Sequence, residues 1–206
     1  PSYNQEKVLN HYLKKTKLSF NFKLKLLANQ TTLNAENITN RQHSINFDTK
    51  INPAFGFEVE LKLPYNKNKW ALFIDPSFNK YSSTKEYVYN SVPGIISQKT
   101  IANFNYNYIE IPFGFRHYFF LNKDSKIFAN IAYVFDFSSN SKLENEYQNL
   151  DDILDIKADN TLAYGLGYNF KDKLSFEIRF SNKEIFTGAN HWRSGYKNIS
   201  FILGFT

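Results

Sequence analysis

The sequence predicts an all-β chain, folded as an eight-stranded antiparallel up-and-down transmembrane β-barrel, and three observations lead there. Apolar residues alternate with polar or small ones along eight separate segments, the period of a two-faced strand. Aromatic residues make up 18% of the 206-residue chain, with 21 Phe and 14 Tyr against 2 Trp, a composition that suits a pleated surface. The connections alternate between tight turns and long polar loops, which gives an outer-membrane barrel one short-turn rim and one long-loop rim. No run approaches the roughly 18 uninterrupted apolar residues that mark a spanning helix. A membrane-crossing form of this chain is therefore a closed barrel.

The first strand places Leu18, Phe20, Phe22, Leu24 and Leu26 opposite Ser19, Asn21, Lys23 and Lys25. The second sets Phe55, Phe57, Val59, Leu61 and Leu63 against Gly56, Glu58, Glu60 and Lys62, and stops at the turn-rich Pro64-Tyr65-Asn66-Lys67-Asn68. In the third, Trp70, Leu72, Ile74, Pro76 and Phe78 oppose Ala71, Phe73, Asp75, Ser77 and Asn79. Pro76 removes one ladder donor there and predicts a local irregularity. The fourth carries Ile109, Ile111, Phe113, Phe115 and His117 against Glu110, Pro112, Gly114 and Arg116, with an upstream extension from near Thr100, and turns at Asn122-Lys123-Asp124-Ser125.

Ile127, Ala129, Ile131, Tyr133, Phe135 and Phe137 oppose Asn130, Ala132 and Asp136 in the fifth strand. Leu162, Tyr164, Leu166, Tyr168 and Phe170 oppose Ala163, Gly165 and Gly167 in the sixth. After the short Lys171-Asp172-Lys173 turn, Leu174, Phe176, Ile178 and Phe180 face away from Ser175, Glu177 and Arg179, and Ile199, Phe201, Leu203 and Phe205 close the series against Asn198, Ser200 and Gly204. Segments 28–50, 82–100, 138–157 and 182–196 are read as long loops. Residues 17–206 form the barrel, and 1–16 a periplasmic N-terminal segment or linker. An even strand number puts both ends of the barrel at the short-turn, periplasmic rim.

A soluble eight-stranded calyx shares this periodicity, but it would turn the greasy face inward. The polar face carries Gly56, Ala71, Ser77, Gly114, Ala132, Ala163, Gly165, Gly167 and Gly204, small residues that fit the narrow interior of eight strands. Tyr65, Trp70, Tyr118, Phe119, Phe120 and Phe170 gather near the short turns as an aromatic girdle. Phe20, Phe57, Ile74, Phe113, Ile131, Leu166, Phe176 and Phe201 are accordingly expected to point to lipid.

The stretch from Phe55 to Ser83 and that from Tyr108 to Ser141 resemble the PorT-type outer-membrane β-barrel domains of Bacteroidetes. The Tyr108-Ile109-Glu110-Ile111-Pro112 run is the most specific piece. The resemblance covers nearly the whole chain from about residue 17. It implies the fold and the bacterial outer membrane, with no shared catalytic residues. Ser200 to Phe205 resembles the terminal strand by which assembly machinery recognises barrels, a signal that ends on an aromatic where Thr206 follows here. Residues beyond Pro1 and Thr206 are compatible with this reading.

Candidate chemistry concentrates inside. Lys23, Lys25, Lys62, Arg116 and Arg179 are set against Glu58, Glu60, Asp75, Glu110, Asp136 and Glu177 on the inward parity. Buried charges persist only when paired and hydrogen-bonded, so these residues are expected to close the bore as an ion-pair network. Glu110 and Arg116 are too far apart along one strand to meet, and each is expected to find a partner across strands. A narrow channel is the alternative. Catalysis would need a nucleophile, a base and an orienting group. Of the four His, His117 falls on the lipid face, His11 precedes the barrel and His43 lies in a loop, leaving His191 with Glu184 and Ser194 as the one conceivable rim site. No enzyme is expected. Glu144, Glu146, Asp151, Asp152, Asp155 and Asp159 form an acidic loop without the spacing of a defined calcium site, so no metal and no cofactor are expected. The absence of Cys removes thiol chemistry, and the scattered lysines behind a net charge of +6 form no nucleic-acid patch. The expected partners are outer-membrane lipid and, through the loops, other outer-membrane or periplasmic proteins.

Overall fold

Eight walls close into a ring because every alternating segment finds an antiparallel neighbour on both sides. The computed structural model describes residues 18–38, 44–89, 98–145, 154–187 and 191–206. Its strands are β1 (Ser19–Asn37), β2 (Ile45–Asn46), β3 (Lys50–Lys62), β4 (Trp70–Ile74), β5 (Ser77–Tyr89), β6 (Gln98–Phe120), β7 (Ser125–Asn145), β8 (Leu154–Asp155), β9 (Thr161–Phe170), β10 (Leu174–Lys183) and β11 (Trp192–Phe205). β1 pairs with β11 through Leu24↔Phe205 and with β3 through Ser19↔Lys62, and this double pairing seals the ring. From β11 the order runs through β10, β9, β7 and β6 to the β4–β5 wall and back to β3. β2 and β8 are two-residue annexes on β1 and β7. No described helix is long and apolar enough to cross a membrane.

The wall formed by β4 and β5 breaks where Pro76 forbids a ladder donor. The break is still hydrogen-bonded: Asp75 donates its backbone N–H to Pro112 O at 3.0 Å, and Phe57 donates to Pro76 O at 3.0 Å. Gly56 faces this kink, where a Cβ would collide with the Pro76 carbonyl oxygen. Beyond Phe55↔Phe78 the β5 strand leaves β3 and pairs only with β6. Side chains span the gap, with Lys50 Nζ donating to Ser82 O at 3.0 Å and Lys85 paired to Asp48 at 2.6 Å.

All eight residues expected on the lipid side face outward, from Leu166 at 66% exposure to Phe201 at 38%. Two expectations change. Tyr118 is buried inside the barrel, because it shares the inward parity of Arg116, and Phe120, directly opposite Lys126 and against the Tyr118 ring, lies on the same inner side at the bore mouth, so the girdle consists of Tyr65, Trp70, Phe119 and Phe170. The regions read as long loops are largely strand: β1 continues to Asn37, β5 and β6 pair from Ser77↔Glu110 out to Tyr89↔Gln98, and β7 runs to Asn145. At about 3.3 Å per residue, the 23 residues of β6 extend on the order of 75 Å along the strand. That is far more than a tilted strand needs to cross a bilayer, about 9–11 residues.

The outer surface marks where the apolar band stops. On β5 and β6 it changes from Phe78 and Phe113 to Lys80, Ser82, Thr84, Asn103 and Asn105. There Ser82 donates to Asn105 Oδ1 at 2.7 Å and Thr84 to Asn103 Oδ1 at 2.9 Å across the strands. The inner surface reverses at the same height. Charged side chains fill the bore toward the short turns, while Leu33, Phe47, Tyr81, Phe104, Tyr106, Tyr108, Phe186 and Tyr196 form one buried cluster toward the loops.

Candidate functional site: the filled bore

The charged storey is built by strand register. Lys23 sits directly opposite Glu58 and Asn21 opposite Glu60 in the β1–β3 ladder, so cross-strand neighbours on the inner face meet. Glu58 is the hub: its carboxylate lies 2.5 Å from Lys23 Nζ and 3.1 Å from Lys25 Nζ. Arg116 reaches it from β6 with both terminal nitrogens, at 2.6 and 2.8 Å. The fork geometry of a guanidinium matches a carboxylate in this two-pronged way. Arg116 Nε also donates to Asn130 Oδ1 at 2.8 Å. Its guanidinium lies 4.4 Å from the Phe128 ring centroid and 4.9 Å from that of Phe73. Glu60 accepts from the Tyr118 hydroxyl and lies 3.3 Å from Lys23 Nζ. Asp75 takes Lys25 at 2.5 Å and Arg179 at 2.7 Å, and Glu177 takes Arg179 at 2.7 Å and Arg116 at 3.6 Å.

Two smaller ion clusters cap this network. Toward the short turns, Asp172 holds Lys62 at 3.0 Å and also Lys126, whose Nζ stands 4.5 Å from the Tyr118 ring centroid. Partial burial of the Asp172 carboxyl opposes its ionisation, but the hydrogen bonds and charges of Lys126 and Lys62 outweigh that and hold it below the usual carboxylate range. Toward the loops, Lys183 pairs with Glu110 at 2.8 Å and with Asp136. Its ammonium lies 4.1 Å from the Tyr108 ring and 5.1 Å from those of Tyr106 and Tyr196.

All eleven charged residues placed on the inward parity thus lie in this interior, each with an oppositely charged partner. Glu110 and Arg116 do not meet: Glu110 goes to Lys183 and Arg116 to Glu58. Three members were not named from the sequence: Lys126, Asp172 and Lys183. Lys126 and Lys183 continue the inward parity of Phe128 and Arg179, so extending the alternation by two residues before Phe128 and by four beyond Arg179 would have found them. Asp172 lies in a turn at φ 57°, where strand parity gives no signal. With these three included, the bore contains, among the described residues, seven cations, Lys23, Lys25, Lys62, Arg116, Lys126, Arg179 and Lys183. They face seven anions, Glu58, Glu60, Asp75, Glu110, Asp136, Asp172 and Glu177. That equality satisfies the requirement that buried charge be compensated.

Above the ions, Tyr106 and Tyr108 stack with centroids 4.1 Å apart, and Tyr196 meets both edge-on at 5.4 and 6.1 Å. The Tyr108 and Tyr196 hydroxyls bond each other at 3.0 Å, and Tyr106 donates to Asp136 at 2.6 Å. β2 turns Ile45 and Phe47 into this storey, with Phe47 N–H donating to Leu33 O at 2.9 Å. Chemically the interior can hold charge and exclude solvent.

At the loop rim Ser194 and Glu184 do converge. The Glu184 Oε1 accepts the Ser194 hydroxyl and the N–H groups of Ile185 at 3.1 Å, Phe186 at 3.1 Å and Ser194 at 2.6 Å. An oxygen so crowded with donors braces the loop, its acceptor sites taken up by the chain's own N–H and O–H groups. His191 contributes its carbonyl to Ile38 N–H at 2.9 Å. His117 lies outside, between Trp70 and Phe119, with ring centroids 4.4 and 4.5 Å away. His11, His43, Glu146, Asp151 and Asp152 lie outside the described residues. Among the described residues no group of three or more acidic or His side chains could hold a metal ion.

An apolar exterior on a closed ring of antiparallel strands defines an integral outer-membrane β-barrel. The model of the outer membrane protein β-barrel domain family matches residues 5–182, and the chain belongs to that family. β11 lies beyond the matched span and completes the ring by pairing with β10 and β1. No curated protein matches the sequence. Among solved structures, OprG from Pseudomonas aeruginosa is similar at a TM-score of 0.44 and 8% identity, over 88% of this chain and 93% of that one. Neisserial surface protein A gives 0.41 and 9% over 90% and 98%. The Yersinia pestis attachment invasion locus protein Ail, in complex with the heparin analogue sucrose octasulfate, gives 0.39 and 11% over 89% and 98%. The family match, with the outward apolar band, places the protein in the bacterial outer membrane.

Proposed function

We propose that the protein is a plugged barrel that serves the cell envelope as a structural or accessory subunit, binding protein partners through the wall that rises beyond the lipid band and performing no catalysis of its own. The observation that carries this reading is the filling of the bore, among the described residues, by paired ions below and stacked aromatics above. A water-filled pore needs many more than eight strands. The short-turn rim, which also bears Ser19 and Phe205, faces the periplasm in this reading, and the long-loop wall faces outward. The Tyr108 to Pro112 run supports PorT-type kinship and a Bacteroidetes origin.

Single-channel recordings in planar bilayers test the plug: the expected record is flat across moderate voltages, and a large stable conductance would favour a narrow channel instead. For the accessory role, mild detergent extraction of native envelope should yield the protein in an assembly larger than the barrel alone. Lys residues introduced at Asn103 and Asn105 should release it from that assembly while leaving the barrel folded. Recovery as a free barrel from wild-type envelope would contradict the role.

A further inference from the structure

The three short turns carry a surplus of positive charge. Lys67, Lys69, Lys123, Lys171 and Lys173 stand there against one carboxylate outside the bore, Asp124. Among the described residues none of the five makes an ion pair. Among the described residues of the opposite rim, surface lysines do find carboxylates, as in the pairs Lys85–Asp48 at 2.6 Å and Lys99–Glu86 at 2.9 Å.

These lysines do not sit on loose tips. Lys171 N–H donates to Asp124 O at 2.6 Å, Lys69 O accepts from Tyr118 N–H at 2.7 Å, and Lys173 N–H donates to Phe170 O at 3.0 Å. Neighbouring turns are thereby tied to the barrel and, through Lys171 and Asp124, to each other. Two of the lysines also occupy left-handed backbone, Lys67 at φ 60° and Lys171 at φ 53°. Gly or Asn takes that conformation with less strain. Lysine at both positions goes against local preference, and such a conflict between residue and backbone points to a role beyond folding. The plate is continuous with the aromatic girdle: Trp70 immediately follows Lys69, and Lys171 Nζ lies 5.2 Å from the Phe170 ring centroid. Girdle aromatics sit at the level of lipid headgroups, so these ammonium groups are held at the same depth or just beyond it.

From this we infer that the short-turn rim is a binding surface for anionic phospholipid headgroups of the adjoining leaflet, with the lysine plate gripping phosphates just below the aromatic girdle. The leaflet concerned is the periplasmic one only if the orientation proposed above is right. The affinity for anionic lipid does not depend on it. Lysines near an anionic surface each favour binding by about fivefold, so even partial engagement gives a measurable preference.

The test reconstitutes the full chain in vesicles of phosphatidylcholine with about 20% phosphatidylglycerol, extracts it gently and counts retained lipids by native mass spectrometry. The ratio of phosphatidylglycerol to phosphatidylcholine among the retained lipids should exceed that of the vesicles by at least about fivefold, and the excess should collapse near 0.5 M salt. The variant Lys67→Asn, Lys171→Asn, Lys123→Gln, Lys173→Gln should lose the preference and yet unfold no more easily, since Asn suits both left-handed positions. A matching variant at the other rim, Lys50→Gln, Lys80→Gln, Lys85→Gln, Lys197→Gln, should keep it. Retention of the two lipids in their bulk proportion by the wild type, or loss of preference only in the second variant, would overturn the inference. Labelling a Lys123→Cys variant from outside intact cells tests the orientation separately. Modification there would refute the periplasmic assignment while leaving the lipid result to stand.

Discussion

The two halves of the barrel obey one strand parity with opposite chemistry. In the lipid-embedded half, Phe113 and Phe115 point out while Gly114 and Arg116 point in. Ten residues along the same β6 strand, Asn103 and Asn105 point out while Phe104 and Tyr106 point in. What changes between them is the medium outside. Where the surroundings are hydrocarbon, apolar side chains are free to face outward and the charges must find one another within. Once the strands rise into water, the hydrophobic effect turns the aromatics inward as in any soluble protein. A single wall therefore contains a membrane protein and a soluble one joined end to end.

The largest expected effect comes from breaking the charged half. Arg116→Ala strips Glu58 of its two-pronged partner and leaves buried charge uncompensated, which costs about 3–5 kcal/mol. Urea titration in detergent micelles should show the whole barrel unfolding earlier in one transition. Phe104→Ala empties a comparable volume in the aromatic half, and truncation of a buried Phe costs about 3–5 kcal/mol. Here the loss should be local: hydrogen exchange should accelerate in 98–108 and 139–145 while the lipid-embedded segments of β9 and β10 stay protected. If Phe104→Ala melts both halves together, they are not energetically separable.

A charge placed on the outer face sharpens the comparison at smaller cost. Leu166→Lys puts an ammonium into mid-band hydrocarbon and should cost about 2–4 kcal/mol, whereas Asn105→Lys, above the band, should cost close to nothing. Unfolding midpoints of the two variants in lipid vesicles give the answer, and similar penalties would mean that the band extends higher than the polar residues imply.

The smallest effect is pH-linked and belongs to the short-turn cap. Asp172 is half exposed, so its pairing with Lys62 and Lys126 contributes under about 1 kcal/mol. Because its folded-state carboxyl titrates below the unfolded value of about 3.9, the contribution is complete above that value and disappears as pH falls through the lowered one. Asp172→Asn, which keeps the left-handed backbone, should therefore be slightly less stable than wild type at pH 7 and equal to it in strong acid. A difference that persists at the lowest pH would assign the effect to something other than ionisation.

Much of this was legible in the sequence, and the gaps have physical reasons. The alternation from Leu18 to Leu26 or from Leu174 to Phe180 contains strand, face and partner chemistry at once, since a two-faced strand in lipid has one arrangement. Pro76 announced its own irregularity. The upper wall was hidden because its polar exterior, Asn103, Asn105 and Asn107, looks like loop composition, although Asn103 to Tyr108 alternates as cleanly as any membrane segment. The pattern had inverted, and a rule tuned to apolar-out strands passes over it. Tyr118 was assigned to the girdle from its proximity to a turn, when its parity with Arg116 already pointed it inward. The pairing of Asp172 with two lysines from different strands depends on ring closure, which no single segment encodes.

The claim that the surrounding medium inverts the pattern is tested most directly by depth measurement along β6. Single spin labels at Phe115→Cys, Phe113→Cys, Asn105→Cys and Asn103→Cys, in barrels reconstituted into vesicles, report whether each outer-face position meets lipid-soluble oxygen or a water-soluble nickel reagent. Oxygen should dominate at the first two positions and the nickel reagent at the last two, with the crossover between Phe113 and Asn105. Oxygen-dominated access at Asn103 and Asn105 would contradict the account, because those polar faces would then lie in lipid.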